Sequence, residues 1–175
     1  VGEVMSIGRT FAESLQKGLR SLELGRHGLG CDAAEAQLTS HSDEDLLAAI
    51  AIATADRIFQ VGELLRRGVA ADRIHSACRI DHWFLDQMSQ IVEEREVLAD
   101  VGLRAMTARQ WKRAKQFGFS DAQLAWLWQV AEPVVREERE ALGVLPTYKT
   151  VDTCAAEFAA HTPYHYSTWE DEDEV

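Results

Sequence analysis

Four short patterns tie down the local conformation of this chain: Thr10-Phe-Ala-Glu13, Ser42-Asp-Glu-Asp45, Thr107-Ala-Arg-Gln110 and Ser120-Asp-Ala-Gln123. In each, a hydroxyl residue stands three positions before a carboxylate or amide, so that both side chains satisfy backbone donors left open at a helix start. Each pattern therefore predicts a helix. Apolar residues recur at helical spacing behind them and between them. Phe11, Leu15, Leu19 and Leu22 predict a helix from Thr10 to Leu24. Leu47, Ile50, Ile58, Val61 and Leu65 lead to Gly68, and Thr54-Ala-Asp56 divides that stretch in two. Ile80, Phe84, Met88, Ile91 and Leu98 run to Gly102. Trp111, Ala114 and Phe117 end at Gly118, and Leu124, Leu127 and Trp128 follow. Pro133 suits the first turn of a last helix reaching Leu142 and Gly143. Strict alternation is found nowhere in this span. The expectation is an all-α protein: an irregular bundle of about six to eight helices between Thr10 and Leu142, with no sheet of its own. Gly25 to Ser42 reads as a loop with a turn around Ala33 to Gln37.

The two ends read differently. Val1 to Ile7 contains a short apolar run, Val4, Met5 and Ile7, which predicts an extended strand with no partner in this sequence. Residues 144–175 combine two prolines with β-branched and aromatic residues, including Tyr148, Phe158, Tyr164, Tyr166 and Trp169, without helical period. They predict an extended segment laid against something else.

The 175 residues are 46% hydrophobic and 27% charged, a balance that excludes disordered and fibrous classes for most of the chain. Net charge is -11, with five negatives in the run Glu170 to Glu174 and the cations scattered. Nucleic-acid and anionic-membrane partners are thereby disfavoured. Three widely spaced cysteines, Cys31, Cys78 and Cys154, read as free thiols in a cytoplasmic protein. The longest nearly apolar stretch, Leu46 to Ala55, falls far short of a membrane span. Because Val1 replaces an initiator Met, the chain reads as a segment of a longer protein.

Candidate chemistry is sparse. His75, Cys78 and His82 share i, i+3, i+7 spacing and could bind zinc on one helical face, but Ile80-Asp81 looks like a helix start that breaks that face. His161 and His165 are four apart with Pro163 between them, which prevents the helix that would align their rings. Cys154 lies near Asp152 and His161, yet reads better as a buried packing cysteine than as a nucleophile. Glu93, Glu94, Glu96, Glu137, Glu138 and Glu140 stand among arginines and read as solvated helix faces. Trp83, Trp111, Trp126 and Trp128 are the notable aromatics, and Trp126 and Trp128, two apart, cannot both face one core. Gly25-Arg-His-Gly28-Leu-Gly30 lacks the Lys-Ser/Thr of a phosphate-binding loop. No active site assembles from these residues.

The ends carry a resemblance. Val1-Gly-Glu-Val-Met-Ser-Ile-Gly-Arg-Thr10, followed by Phe-Ala-Glu-Ser-Leu-Gln-Lys17, and Val151-Asp-Thr-Cys-Ala-Ala-Glu-Phe158 with Thr162-Pro-Tyr-His-Tyr-Ser-Thr168, resemble the large subunit of carbamoyl-phosphate synthase. Ile80-Asp-His-Trp-Phe-Leu85 and Leu145-Pro-Thr-Tyr-Lys149 are similar to that family's "IDxWFL" and "xPxYK" stretches. Trp169 stands where the family usually has Tyr, Gly18 where it often has Ala, and Cys78 where Thr is common.

The resemblance implies the helical oligomerisation domain that joins the family's two ATP-grasp synthetase units. Residues 1–9 would close the preceding unit, 10–143 would form the helical domain, and 144–175 would lead into the second unit. It implies no catalytic, cofactor-binding or metal-binding residue in this piece. In the parent enzyme it implies ATP with Mg or Mn, a glutaminase small subunit, and synthesis of carbamoyl phosphate for arginine and pyrimidines. Leu15 and Leu19 are the candidate subunit contacts of a homo-oligomer. Val4, Met5, Ile7, Tyr148, Phe158, Tyr164, Tyr166 and Trp169 are the candidates for packing on neighbouring units. A free-standing helical adaptor and a small zinc enzyme built on His75, Cys78 and His82 are the alternatives.

Overall fold

A computed structural model describes residues 3–158, 162 and 164–175. In chain order the helices are α1 (Phe11–Ser21), α2 (Glu35–Thr39), α3 (Asp43–Ile50), α4 (Arg57–Arg66), α5 (Ala71–Cys78), α6 (His82–Val101), a 3-10 turn (Leu103–Ala105), α7 (Ala108–Gln116), α8 (Asp121–Trp128) and α9 (Glu132–Ala141). A two-stranded antiparallel ribbon follows, β1 (Thr147–Val151) against β2 (Tyr164–Thr168), with Thr147 opposite Thr168 and Val151 opposite Tyr164. The chain is therefore a helical bundle with non-helical ends.

α6 is the central strut, 20 residues and about 30 Å long. It packs on α1, α4 and α5. Leu85, Met88, Ile91 and Leu98 form its buried stripe, and Leu46, Ile50, Leu64, Ile74, Trp111, Phe119 and Leu124 close the core around it. Full capping boxes are present at Ser42/Asp45, Thr107/Gln110 and Ser120/Gln123. Gly68, Gly118 and Gly143 end α4, α7 and α9 in the left-handed conformation that lets the chain turn back on itself.

Several expectations need correction. α5 is an additional helix and, together with α2, brings the described residues to nine α-helices against the expected six to eight or so. Its N-cap is Ala70, which has no side-chain acceptor and so leaves no capping signature. The turn expected near Ala33 is a short helix, α2. At α1, Thr10 does accept from the Glu13 N–H at 3.2 Å, but the Glu13 carboxylate does not close a capping box. Glu94 is not on a solvated face: it is buried and paired with Arg113 at 2.7 Å. Residues 3–8 form no strand, having no neighbouring strand to pair with, whereas the 144–175 segment pairs with itself.

Candidate functional site

The two ends of the chain meet on α1, and the meeting point is built from Glu13 and Lys17. Four residues apart on a helix, they share a face and form an ion pair at 2.9 Å. Glu13 is 1% exposed. Its other carboxylate oxygen accepts from the Arg9 N–H at 2.7 Å and from the Thr168 hydroxyl at 3.1 Å. The Lys17 ammonium donates to the Ile7 carbonyl at 2.9 Å and to the Ser167 carbonyl, and lies 5.8 Å from the centre of the Tyr166 ring. One ion pair thus holds the incoming segment and the outgoing strand β2. Ser6 adds a hydrogen bond to the Ser14 carbonyl at 2.7 Å. Gly18 lets this segment lie close, since a Cβ there would stand 3.3 Å from the Ser6 hydroxyl.

Trp169, just past β2, docks on a second buried charge cluster. Its ring lies 4.8 Å from the Lys115 ammonium and 5.1 Å from the Arg139 guanidinium. Both cations pair with Asp121, at 2.9 and 3.0 Å. Burial pushes the Lys115 ammonium down to about 8, a shift that the neighbouring Asp121 charge only partly offsets. Asp121 is held below its usual range, because Lys115 and Arg139 outweigh its own desolvation. The acidic tail folds back too: Asp171 pairs with Lys112, and Glu174 with Lys149 at 2.9 Å.

The candidate packing residues divide into two sets. Val4, Met5, Ile7, Tyr148, Phe158 and Tyr164 are exposed, Met5 to 90%. Tyr166 and Trp169 are half-buried and turned onto the chain's own cations. Of the candidate subunit contacts, Leu15 is half-buried against the core. Leu19 is 4% exposed and is packed by this chain's own core, so it has no surface to offer a second copy.

The family profile of the carbamoyl-phosphate synthetase large chain, oligomerisation domain, matches residues 3–143. The chain belongs to that family. It is 49% identical over its whole length to the carbamoyl phosphate synthase large chain of Nostoc sp.. Identity to the protein of the same name is 43% in Archaeoglobus fulgidus and 46% in Deinococcus deserti, each across the whole chain. In all three cases the chain spans 16% of the relative's length.

Within this oligomerisation domain the remaining candidates do not converge. α5 stops at Cys78 and α6 starts at His82, so His75, Cys78 and His82 are not on one helix. The two imidazoles stack 4.3 Å apart, and His75 Nδ1 is within 2.8 Å of the Ile80 carbonyl oxygen. Among the described residues no group of three His, Cys, Asp or Glu is placed to hold a metal ion. No described helix is long and apolar enough to cross a membrane. Cys154 is partly exposed in a turn rather than buried, while Cys31 and Cys78 are buried. His161 and Pro163 lie outside the described residues. Trp128 packs edge-on to Trp111 and donates to the Leu98 carbonyl at 2.9 Å.

Two features of the surface escape a reading of the sequence. Phe11, Trp83 and Phe84 form a cluster with ring centres 5.0 to 5.5 Å apart, although Trp83 is 52% and Phe84 44% exposed. The periodicity of α6 places Phe84 in the core, and nothing local shows that α1 leaves it open. Glu13 and Lys17 are legible as an i, i+4 pair, but such pairs usually sit on a solvated face.

Proposed function

We propose that this chain is the non-catalytic connector and oligomerisation domain of the large subunit of a glutamine-dependent carbamoyl-phosphate synthase. Residues 1–9 close one ATP-grasp unit, residues 10–143 form the connecting body, and residues 144–175 lead into the second unit. The parent is a cytoplasmic ATP-dependent ligase, making carbamoyl phosphate from bicarbonate, ATP and ammonia that a small subunit releases from glutamine. ATP and Mg or Mn belong to the flanking units, and no residue of this piece is assigned to them.

The observation that carries this reading is the family match over residues 3–143, in a chain whose two ends are both docked on its own bundle. The exposed Val4, Met5, Ile7, Tyr148, Phe158 and Tyr164 then pack on the two flanking units. Large apolar side chains contribute about 1.5–3 kcal/mol each when buried, so this set favours association over exposure.

Sedimentation equilibrium over a wide concentration range tests the association. Self-association of the 175-residue chain is the expected result. A strict monomer even at high concentration refutes the oligomerisation role. An open reading frame without an ATP-grasp sequence on either side refutes the connector role.

A further inference from the structure

The Lys17 ammonium binds the carbonyls of Ile7 and Ser167 together, although Ser167 lies 150 residues further along the chain. Since each hydrogen bond spans at most about 3 Å, those two oxygens are within about 6 Å of each other. The Glu13 carboxylate repeats the arrangement one turn earlier, accepting from Arg9 of the incoming segment and from Thr168 of the outgoing strand. Both segments are thus fastened to a single turn of α1, by one ion pair whose carboxylate is buried and whose ammonium is half-buried.

We propose that Glu13 and Lys17 are positioning residues that hold the two flanking synthetase units in one fixed relation, and so couple their reactions. The inference rests on the connector reading above. The incoming segment has no secondary structure; Ser6, Ile7 and the Arg9 backbone are anchored on α1, while the Arg9 side chain reaches Tyr166 of β2 directly. A displacement of β2 by the second unit therefore reaches residues 7–9 through Glu13 and Lys17, beside the direct contact of Arg9 with Tyr166. Carbamate made in one unit has to arrive at the other before it decomposes in water, which makes a fixed spacing between them chemically consequential.

The test uses the full-length parent with its small subunit. Carbamoyl phosphate formed per ATP consumed is compared in wild type, Lys17→Met and Lys17→Arg. Two half-reactions are followed alongside: bicarbonate-dependent ATP hydrolysis, and ATP formation from carbamoyl phosphate and ADP. Methionine keeps the apolar stem of Lys17 and removes every one of its donors. The expected result is that Lys17→Met retains both half-reactions while the ratio falls by a factor of about 2 to 30, the range that single side chains transmit between distant sites. Lys17→Arg should restore the ratio. Thr168→Val removes only the strand's bond to Glu13 and should lower the ratio less, in the same direction.

An unchanged ratio in Lys17→Met overturns the proposal. Loss of both half-reactions also overturns it, because the pair then only holds the fold. A ratio in Lys17→Arg as low as in Lys17→Met rejects the role of the charge. A wild-type protein that makes no carbamoyl phosphate would instead sink the connector reading on which the proposal depends.

Discussion

Substituting Gly118 by alanine separates two costs that are usually confounded. Gly118 and Gly68 end their helices in the same hydrogen-bonded form. The N–H groups of Gly118 and Phe119 donate to Lys115 and Ala114, and those of Gly68 and Val69 donate to Leu65 and Leu64. Their φ angles, 84° and 77°, are nearly equal. Their surroundings are not. A Cβ on Gly68 meets nothing within 4 Å, whereas one on Gly118 would lie 2.8 Å from Gln16 Cβ, 3.0 Å from Glu13 Cα and 3.1 Å from the Ala12 carbonyl oxygen. Two of those three atoms are α1 backbone, which cannot rotate away. Gly68→Ala should therefore cost only the left-handed strain, about 1–2 kcal/mol. Gly118→Ala should carry that strain plus an overpacking cost of about 1–3 kcal/mol, about 2–5 kcal/mol in total. Urea unfolding followed by tryptophan fluorescence gives both values from the midpoints at a common slope. If the two variants agree within about 0.5 kcal/mol, the close seating of the α7–α8 turn on α1 is wrong.

Three further outcomes are expected. Folded Lys115 loses its proton near pH 8, whereas in the unfolded chain it keeps it to about 10.4. Between those values the unfolded state binds more protons, so this residue's contribution to stability is flat below pH 8 and rises with pH above it. The difference in urea midpoint between wild type and Lys115→Met should shift toward wild type from pH 8 to 10, and a difference flat throughout contradicts the depressed lysine. Cys31 is 1% exposed with its thiol pushed up to about 11, and Cys78 is also buried, so a thiol reagent should titrate Cys154 alone in the folded chain. Rapid reaction of more than one thiol before denaturant is added counts against this packing. Thr107→Ala removes the hydroxyl that accepts from Gln110 at the start of α7 and should cost about 1 kcal/mol in the same urea assay, whereas a neutral result would mean that the cap contributes nothing.

The helices that can be read in advance are those whose signals are local. Ser42, Thr107 and Ser120 announce α3, α7 and α8 because a capping box involves only four consecutive residues, and the structure contains all three boxes. α5 has no such mark at Ala70, and its buried Ile74 and Cys78 acquire their meaning only from α3 and α6 packed beside them. Glu94 misleads for the same reason. On its own helix it belongs to an acidic run, and its burial depends on Arg113 arriving from α7.

The family itself is written in the end motifs, and the helical class in the capping patterns and period, since both depend on residue types at short separation. Which residues are functional is another matter. Leu19 has the spacing of a contact residue and lies in the core, while Phe84 has the spacing of a core residue and lies at the surface. Glu13 and Lys17 look like an ordinary helix-surface pair until residues 7 and 167 are brought against them. Periodicity shows that a helix has a face, but burial depends on what covers it. Here the covering groups come from more than 100 residues away, and only the assembled bundle puts them in place.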